Sequence, residues 1–567
     1  MVYQTLASIQ QKLTQPGAPF ELAQCPEQQV PYFKQAPDVL ADMLQAVRRE
    51  DDSVFLVYGD DRWSYRRFYQ AVDRTAAYLQ SSGIEPGQRL AIAMRNRPEW
   101  AVFFVAAVFV GAVPAPLNSF GLGEELNAAI NDIKPDVLVC DDARYRRISE
   151  CATQLPKLVI CLHDLITDPA QHDANVIDAE SVINQDNAVW SKPNINGDSP
   201  ALILFTSGAT SRAKAALSTN RAVCQALYNI NYITAISAMS SPEAIAAIQE
   251  KAMPPVALTA VPLFHVSGLH AQLLNGLLSG RKLVFIHKWD TENALELLEQ
   301  EQVTVFNGAP AMIMQMMRHH EFSEGKIQHQ LAGLGFGGAG IPKKLISEVL
   351  EKMPNKMIGI GYGMTETNGV GAAGSGAIFN AHPNASGIVS PIMQVRIVRE
   401  DGSIAEAGGV GEIQLKGVTL MSGYMDAEHG ICNPADDNGW LSTGDIGYVD
   451  EHNYLFVIDR LKDVINRAGE NISAAEVECC LLHHDDVLEA GVTGIPDEDL
   501  GEAVVAVVSQ RSGSNVSEED LIKYCAERLA CFKVPSKVIL TEEKLPRNPA
   551  GKLLKVELKS NFISALA

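Results

Sequence analysis

The chain has 567 residues, 47% of them apolar, with 46 basic against 68 acidic side chains and a formal charge of -22. That length favours two or more domains, and that charge argues against nucleic acid or an anionic membrane as main partner, so any bound anion must be gripped locally. Ten cysteines with no CxxC pair and no repeated spacing suggest neither a zinc site nor a disulfide framework, and fit a reducing cytoplasm.

The opening stretch MVYQTLASIQQKLTQ lacks the basic start and apolar centre of a signal peptide. Apolar residues at helical spacing predict helices over Val39–Arg49 and Ser64–Ser81, and short apolar runs predict buried strands at Arg89–Met94 and Asp136–Cys140. The run Trp100–Val113 is apolar throughout, too short to span a membrane, and stops at Pro114, so it reads as a buried helix in a soluble protein without a transmembrane segment. Another apolar run, Ala201–Phe205, leads like a buried strand into TSGATSRAKAA, residues 206–216. Its hydroxyls, glycine and Lys214 can wrap a polyphosphate, although alone it reads equally as a surface loop. It is no P-loop of the GxxxxGK[ST] type, because Ala215 follows the lysine.

Strand and helix signals alternate through Leu283–Ile286, Asn293–Gln302, Val303–Phe306 and Lys343–Lys352, which predicts α/β architecture with largely parallel sheets. Gly335–Gly340 satisfies GxGxxG. No clear strand leads into it with a ribose-binding acid at the usual distance, and the helix behind opens with Pro342, so a dinucleotide site is rejected. Next, Gly361–Glu366 (GYGMTE) joins a glycine turn to an aromatic ring that can stack on a base and a carboxylate that can hold Mg²⁺. From about 387 to 456 short β-like runs broken by Gly and Asp predict a small antiparallel barrel or sheet, with Asp445 in the turn STGD. A charged knot, Asp459–Asp463, precedes a final stretch long enough for a separate domain. That stretch carries Gly469, Glu470 and Asn471, and Lys552 on the Pro/Gly loop PRNPAGK.

These segments together, from about 53 to 555 and in matching order, resemble the adenylate-forming superfamily of acyl-CoA synthetases, firefly luciferase and peptide-synthetase adenylation domains. The resemblance implies a large N-terminal domain, 1–459, of two α/β subdomains and a small β-barrel-like one, then a mobile α+β C-terminal domain, 460–567, hinged at Lys462. It implies an enzyme that activates a carboxylic acid with ATP as acyl-AMP and passes it to coenzyme A. Thr206, Ser207, Gly208, Thr210 and Lys214 would form the phosphate loop. Gly338 to Gly340, with Ala339 between them, and Gly361 to Met364 would flank the nucleotide, while Thr365 and Glu366 would meet the α-phosphate and Mg²⁺. Asp445 would take the ribose hydroxyls beside Arg460, Lys552 would drive adenylation, and Gly469 with Glu470 would line the pantetheine tunnel.

The acyl pocket would lie among His265, Val266, Gly268, Ala309, Gly338 and Gly363. Small linings leave volume for a tail, so a medium- to long-chain fatty acid is expected, with an aryl acid as the rival within the class. A ligase that loads a separate carrier protein would share every ATP contact, and a non-catalytic nucleotide-binding relative is a more remote reading. The phosphate loop departs from the family's TSG[ST]TGxPKG at Ala209, Ser211, Ala213 and Ala215. Loss of one neutral hydrogen bond there weakens the grip on pyrophosphate by at most roughly tenfold.

Overall fold

The apolar run after Arg97 divides into a helix, Pro98–Phe109, a turn, and a strand, Val113–Pro116, instead of forming one helix to Val113. Proline opens the helix where its missing N–H goes unmissed, and Pro114 is tolerated because its strand lies at a sheet edge. Every helix residue but Glu99 is buried, and Trp100 stacks on Phe104 at 5.3 Å. A helix apolar on all sides belongs between two layers. Its core joins Phe55 and Phe285 of one sheet to Leu90 and Val139 of another.

The chain is described here from a computed structural model, for all residues except 1, 27, 153, 164–175, 186–188, 207–212, 324–325, 338–340, 342, 427, 469, 498–499, 512, 549–550 and 564–567. The larger sheet has nine strands. Its six central ones, from Met357–Tyr362 through Gly333–Phe336, Val305–Gly308, Val256–Thr259 and Lys282–Phe285 to Val54–Tyr58, are parallel, with antiparallel strands at both edges. The second sheet is wholly parallel, in the order Val113–Pro116, Arg89–Ala93, Val137–Asp141, Leu158–Leu162, Val176–Asp178. Ser64 caps the helix Tyr65–Ser81 by accepting from the Arg67 N–H at 3.2 Å, which fixes where that helix begins.

One further expectation needs correction. The strand Gly333–Phe336 does run into the GxGxxG segment. Its glycines hide its β character, yet a Cβ on Gly335 would fall 2.2 Å from Asn307 Oδ1, so packing against the neighbouring strand requires them. The strand before the expected phosphate loop, Pro200–Phe205, pairs antiparallel with Ala215–Thr219. The connection is too short for a parallel crossover, which needs about a dozen residues or more.

Met393–Val398, Gly411–Gly417, Leu441–Val449 and Leu455–Arg460 form a four-stranded antiparallel sheet. Beyond Arg460 a short turn, Leu461–Asp463, leads to a last sheet built on the long hairpin Val487–Asp497/Gly501–Gln510. Helices Ala474–Leu482 and Glu518–Ala526 contribute to its separate core, around Val477, Leu481, Val504, Leu521 and Val538. No helix among the described residues is long and apolar enough to cross a membrane.

Candidate functional site

Open parallel sheets bind ligands beyond the carboxyl ends of their strands. Tyr362 stands at such an end, closing Met357–Tyr362. Its hydroxyl donates to Asp445 Oδ2 at 2.7 Å, while Arg460 Nε lies 3.2 Å from Asp445 Oδ1. Asp445 and Arg460 are register partners across their hairpin, which holds the ion pair in place. Gly444 turns with φ +70°, and the Asp445 N–H donates to Thr443 Oγ1 at 3.1 Å. Burial and the neighbouring carboxylate push the Tyr362 phenol up, so it stays a donor. Asp445 is only 4% exposed, but each of its oxygens keeps a lone pair for a further donor such as a diol.

Thr206 and Lys214 flank the segment expected to hold phosphate and bond to each other. The Thr206 N–H donates to Lys214 O at 2.9 Å, and the Lys214 N–H donates to Thr206 Oγ1 at 3.2 Å. Ser207, Gly208, Ala209, Thr210 and Ser211 lie outside the described residues, as do Gly338, Ala339, Gly340 and Gly469. Lys214 Nζ sits 4.9 Å above the Tyr424 ring, and the Tyr424 hydroxyl donates to Glu366 Oε1 at 2.7 Å. Tyr424 thus links the lysine to the carboxylate, a role sequence reasoning missed. Its one signal was its place in the apolar GYM run of a β-like segment.

Thr365 and Glu366 occupy a single 3₁₀ turn, Thr365–Thr367. The turn is pinned from behind, because Asn368, at φ +54°, donates from Nδ2 to Ser218 Oγ and to Thr419 O, both at 2.9 Å. One carboxylate beside a threonine hydroxyl is a hard-oxygen donor set, and it suits Mg²⁺, which keeps most of its shell as water and phosphate oxygen.

Lys552 comes from the end of the chain yet belongs to the Asp445 cluster. Its backbone N–H donates to Asn548 Oδ1 at 2.8 Å, and Arg547 donates to Gly551 O at 2.9 Å, which fixes the loop. Loss of hydration pulls the Lys552 ammonium down to about 8, Arg460 and Lys462 push the same way, and Asp445 opposes them. Gly551, at φ +82°, presses on Ala309, where a Cβ would come within 2.7 Å of the alanine Cβ. Lys462 lies in the turn Leu461–Asp463, and burial with Arg460 and Lys555 draws its ammonium down. Glu470 is exposed on the hairpin that follows, outside this cluster.

Around the expected acyl pocket, burial holds the His265 imidazole neutral, down to about 4. Its Nε2 is buried with no hydrogen-bond partner among the described residues. Two of the expected pocket glycines, Gly268 and Gly363, do not leave room for a ligand. A Cβ on Gly268 would lie 2.2 Å from Pro262 O, and one on Gly363 would lie 2.3 Å from Gly369 O. Their smallness serves the protein's own backbone. A cavity of about 200 Å³ opens beside Pro262, lined by Asn96, Phe120, Trp289, Met312, Lys288 and Arg95. Arg95 lies 3.2 Å above the Phe120 ring, and its Nε and one terminal nitrogen lack partners among the described residues. Burial and Arg144 lower its guanidinium to about 10.

Residues 43–425 match the AMP-binding enzyme family, and residues 476–552 match the AMP-binding enzyme C-terminal domain. The chain is 27% identical over 502 residues to a probable CoA ligase, CCL5, of Humulus lupulus, covering 87% of each. It is 27% identical over 513 residues to 4-coumarate–CoA ligase 3 of Oryza sativa subsp. japonica, covering 89% of this chain and 88% of that one. Its fold is similar to that of o-succinylbenzoate CoA synthetase (MenE) from Bacillus subtilis in complex with the acyl-adenylate OSB-AMP. The TM-score is 0.71 at 26% identity, over 92% of this chain and 98% of the other.

Proposed function

The chain belongs to the AMP-binding enzyme family and is an AMP-forming CoA ligase, and from that premise we propose how its residues share the work and which acid it takes. The observation that carries the reading is Lys552, brought from the last loop to the Asp445–Arg460 pair. The acid's carboxylate oxygen attacks the α-phosphorus of ATP; that O–P bond forms as the bond to pyrophosphate breaks. Little covalent help is needed from the protein, so positioning and charge neutralisation do the catalysis. Asp445 takes the ribose hydroxyls, and its hold on the Tyr362 hydroxyl sets that ring for the base. Lys552 offsets charge on the carboxylate and α-phosphate, and Lys214 does so toward pyrophosphate. Glu366 and Thr365 would hold Mg²⁺, which supplies charge stabilisation to the phosphates. In the second step the CoA thiol attacks the acyl carbon and AMP leaves, after Lys552 withdraws about the hinge at Lys462 and the Gly469–Glu470 loop takes its place. The cavity beside Pro262 suits the phosphates of CoA, because Arg95 and Lys288 offer cationic groups there.

The acid is an aryl acid. Support comes from the o-succinylbenzoate and 4-coumarate ligases among the similar proteins, and from glycines whose smallness packing already explains. A neutral His265 and the apolar side chains of Val266 and Ala309 suit an uncharged ring. Ten free thiols fit the cytoplasm as its compartment. Incubation with ATP, Mg²⁺, CoA and a panel of acids, read by mass spectrometry for acyl-CoA, tests the reading. Aryl acids should exceed medium- and long-chain fatty acids at least about tenfold in kcat/KM, a difference of about 1.4 kcal/mol in transition-state binding. The reverse order would restore the fatty acid.

A further inference from the structure

The second sheet carries a cluster that the nucleotide chemistry does not use. Its strands Val137–Asp141 and Leu158–Leu162 run parallel, with Cys140 opposite Cys161. Side chains two residues apart share a strand face. Just past the last register pair, Asp141 and Leu162, Asp142 opens the helix Asp142–Cys151 and His163 follows the end of its strand. In the structure His163 Nδ1 lies 3.0 Å from Asp142 Oδ1, and Cys161 Sγ lies 3.6 Å from that same oxygen. Sulfur, imidazole nitrogen and carboxylate oxygen all fall within 4.8 Å of one another. Asp142 and Cys161 are buried, and His163 faces the way out.

From this geometry we infer that Asp142, Cys161 and His163 bind a zinc ion. Tetrahedral zinc with bonds of about 2.0 Å to N and O and about 2.3 Å to S has edges of about 3.3 Å between N and O and about 3.5 Å between S and O. The observed separations lie within a few tenths of an ångström of those edges. A thiolate and an imidazole select zinc over Mg²⁺ or Ca²⁺, which want oxygen alone. On binding, the Cys161 thiol releases its proton to the buffer as the S–Zn bond forms. The two negative ligands then balance the ion, and water completes the fourth position on the His163 side. Cys140 is the register partner of Cys161 on the neighbouring strand. The ion would tie two strand ends together at the carboxyl edge of this sheet. The scattered cysteines concealed it, because its ligands come from two strand ends and not from one short motif.

Cobalt provides the probe. Full-length enzyme stripped with a chelator should take up one Co²⁺ per chain with a near-ultraviolet thiolate-to-cobalt band, which one equivalent of Zn²⁺ bleaches. His163→Gln, at the partly exposed ligand, should weaken Co²⁺ binding at least about tenfold while leaving ATP/pyrophosphate exchange unchanged. Cys161→Ser should abolish the band, and Glu366→Gln should leave it intact. No band in the parent enzyme, or a band that survives both His163→Gln and Cys161→Ser, would overturn the site. Should Cys161→Ser misfold, Co²⁺ affinity in His163→Gln equal to that of the parent enzyme overturns it.

Discussion

At the scale of single residues, Lys552 carries the sharpest consequences. Removing one group that meets charge developing in a transition state costs about 10² to 10³ in rate. Lys552→Ala should therefore reduce ATP/pyrophosphate exchange by that factor while sparing thioester formation from supplied acyl-AMP, and equal loss of both steps refutes the assignment. Because burial and two cationic neighbours hold this ammonium at about 8, its charge is present below that pH and lost above it. The kcat/KM for ATP in the exchange reaction, which reports the free enzyme, should fall as pH rises through about 8. A profile flat well into the alkaline range would show that Lys552 is not the group neutralising charge. Arg95 makes a separate claim. A hydrogen bond to a charged group contributes about 1.5–3 kcal/mol, so Arg95→Ala should raise the KM for CoA roughly tenfold or more and leave the KM for ATP unchanged, as initial-rate kinetics would reveal.

At the scale of elements, the loop bearing Lys552 meets the large domain through Gly551, whose φ of +82° and contact with Ala309 leave no place for a side chain. A left-handed residue other than glycine costs roughly 1–2 kcal/mol, before the clash is counted. Gly551→Ala should lower exchange at least about tenfold and affect thioester formation from supplied acyl-AMP much less, since only the docked loop touches Ala309; equal losses would contradict that contact. The same loop shows what could be read from the chain alone. Periodicity placed helices such as Lys343–Lys352, because burial leaves a regular apolar stripe. Residues 100–113 misled, since an unbroken apolar run records burial and not where a helix ends. Gly333–Phe336 escaped because glycines forced by Asn307 have no β signature. At the site, Glu366, Asp445 and Lys552 stood out through local motifs. Tyr424, Arg95 and the Asp142–Cys161–His163 group did not, because strand pairing and packing bring them to their partners.

At the scale of the whole molecule, the last domain is docked with Lys552 toward Asp445 and Arg460, which under the proposed mechanism suits the first step alone. Among the described residues its footing includes a Lys344–Asp485 ion pair at 2.9 Å, an Asn471–Glu400 hydrogen bond at 3.1 Å, Gly551 against Ala309, and Asp459, which accepts from Ser473 Oγ at 2.6 Å and from the Ala475 N–H at 3.2 Å. Exposed ion pairs contribute about 0–1 kcal/mol, so such a footing can be released and regained within a catalytic cycle. The proposed rotation would then be absorbed in the turn Leu461–Asp463, which joins Leu455–Arg460 to the last sheet. A 3₁₀ turn has φ near −60°, close to the value at which proline locks the backbone. Lys462→Pro should accordingly hold the enzyme in its docked posture. Exchange should persist within a few-fold of the parent, while thioester formation, followed as acyl-CoA by mass spectrometry, should fall by at least about tenfold, since the rotated state is blocked. If both steps survived, the turn at Lys462 would not be the hinge, and the rotation would have to run through the neighbouring residues 463–473.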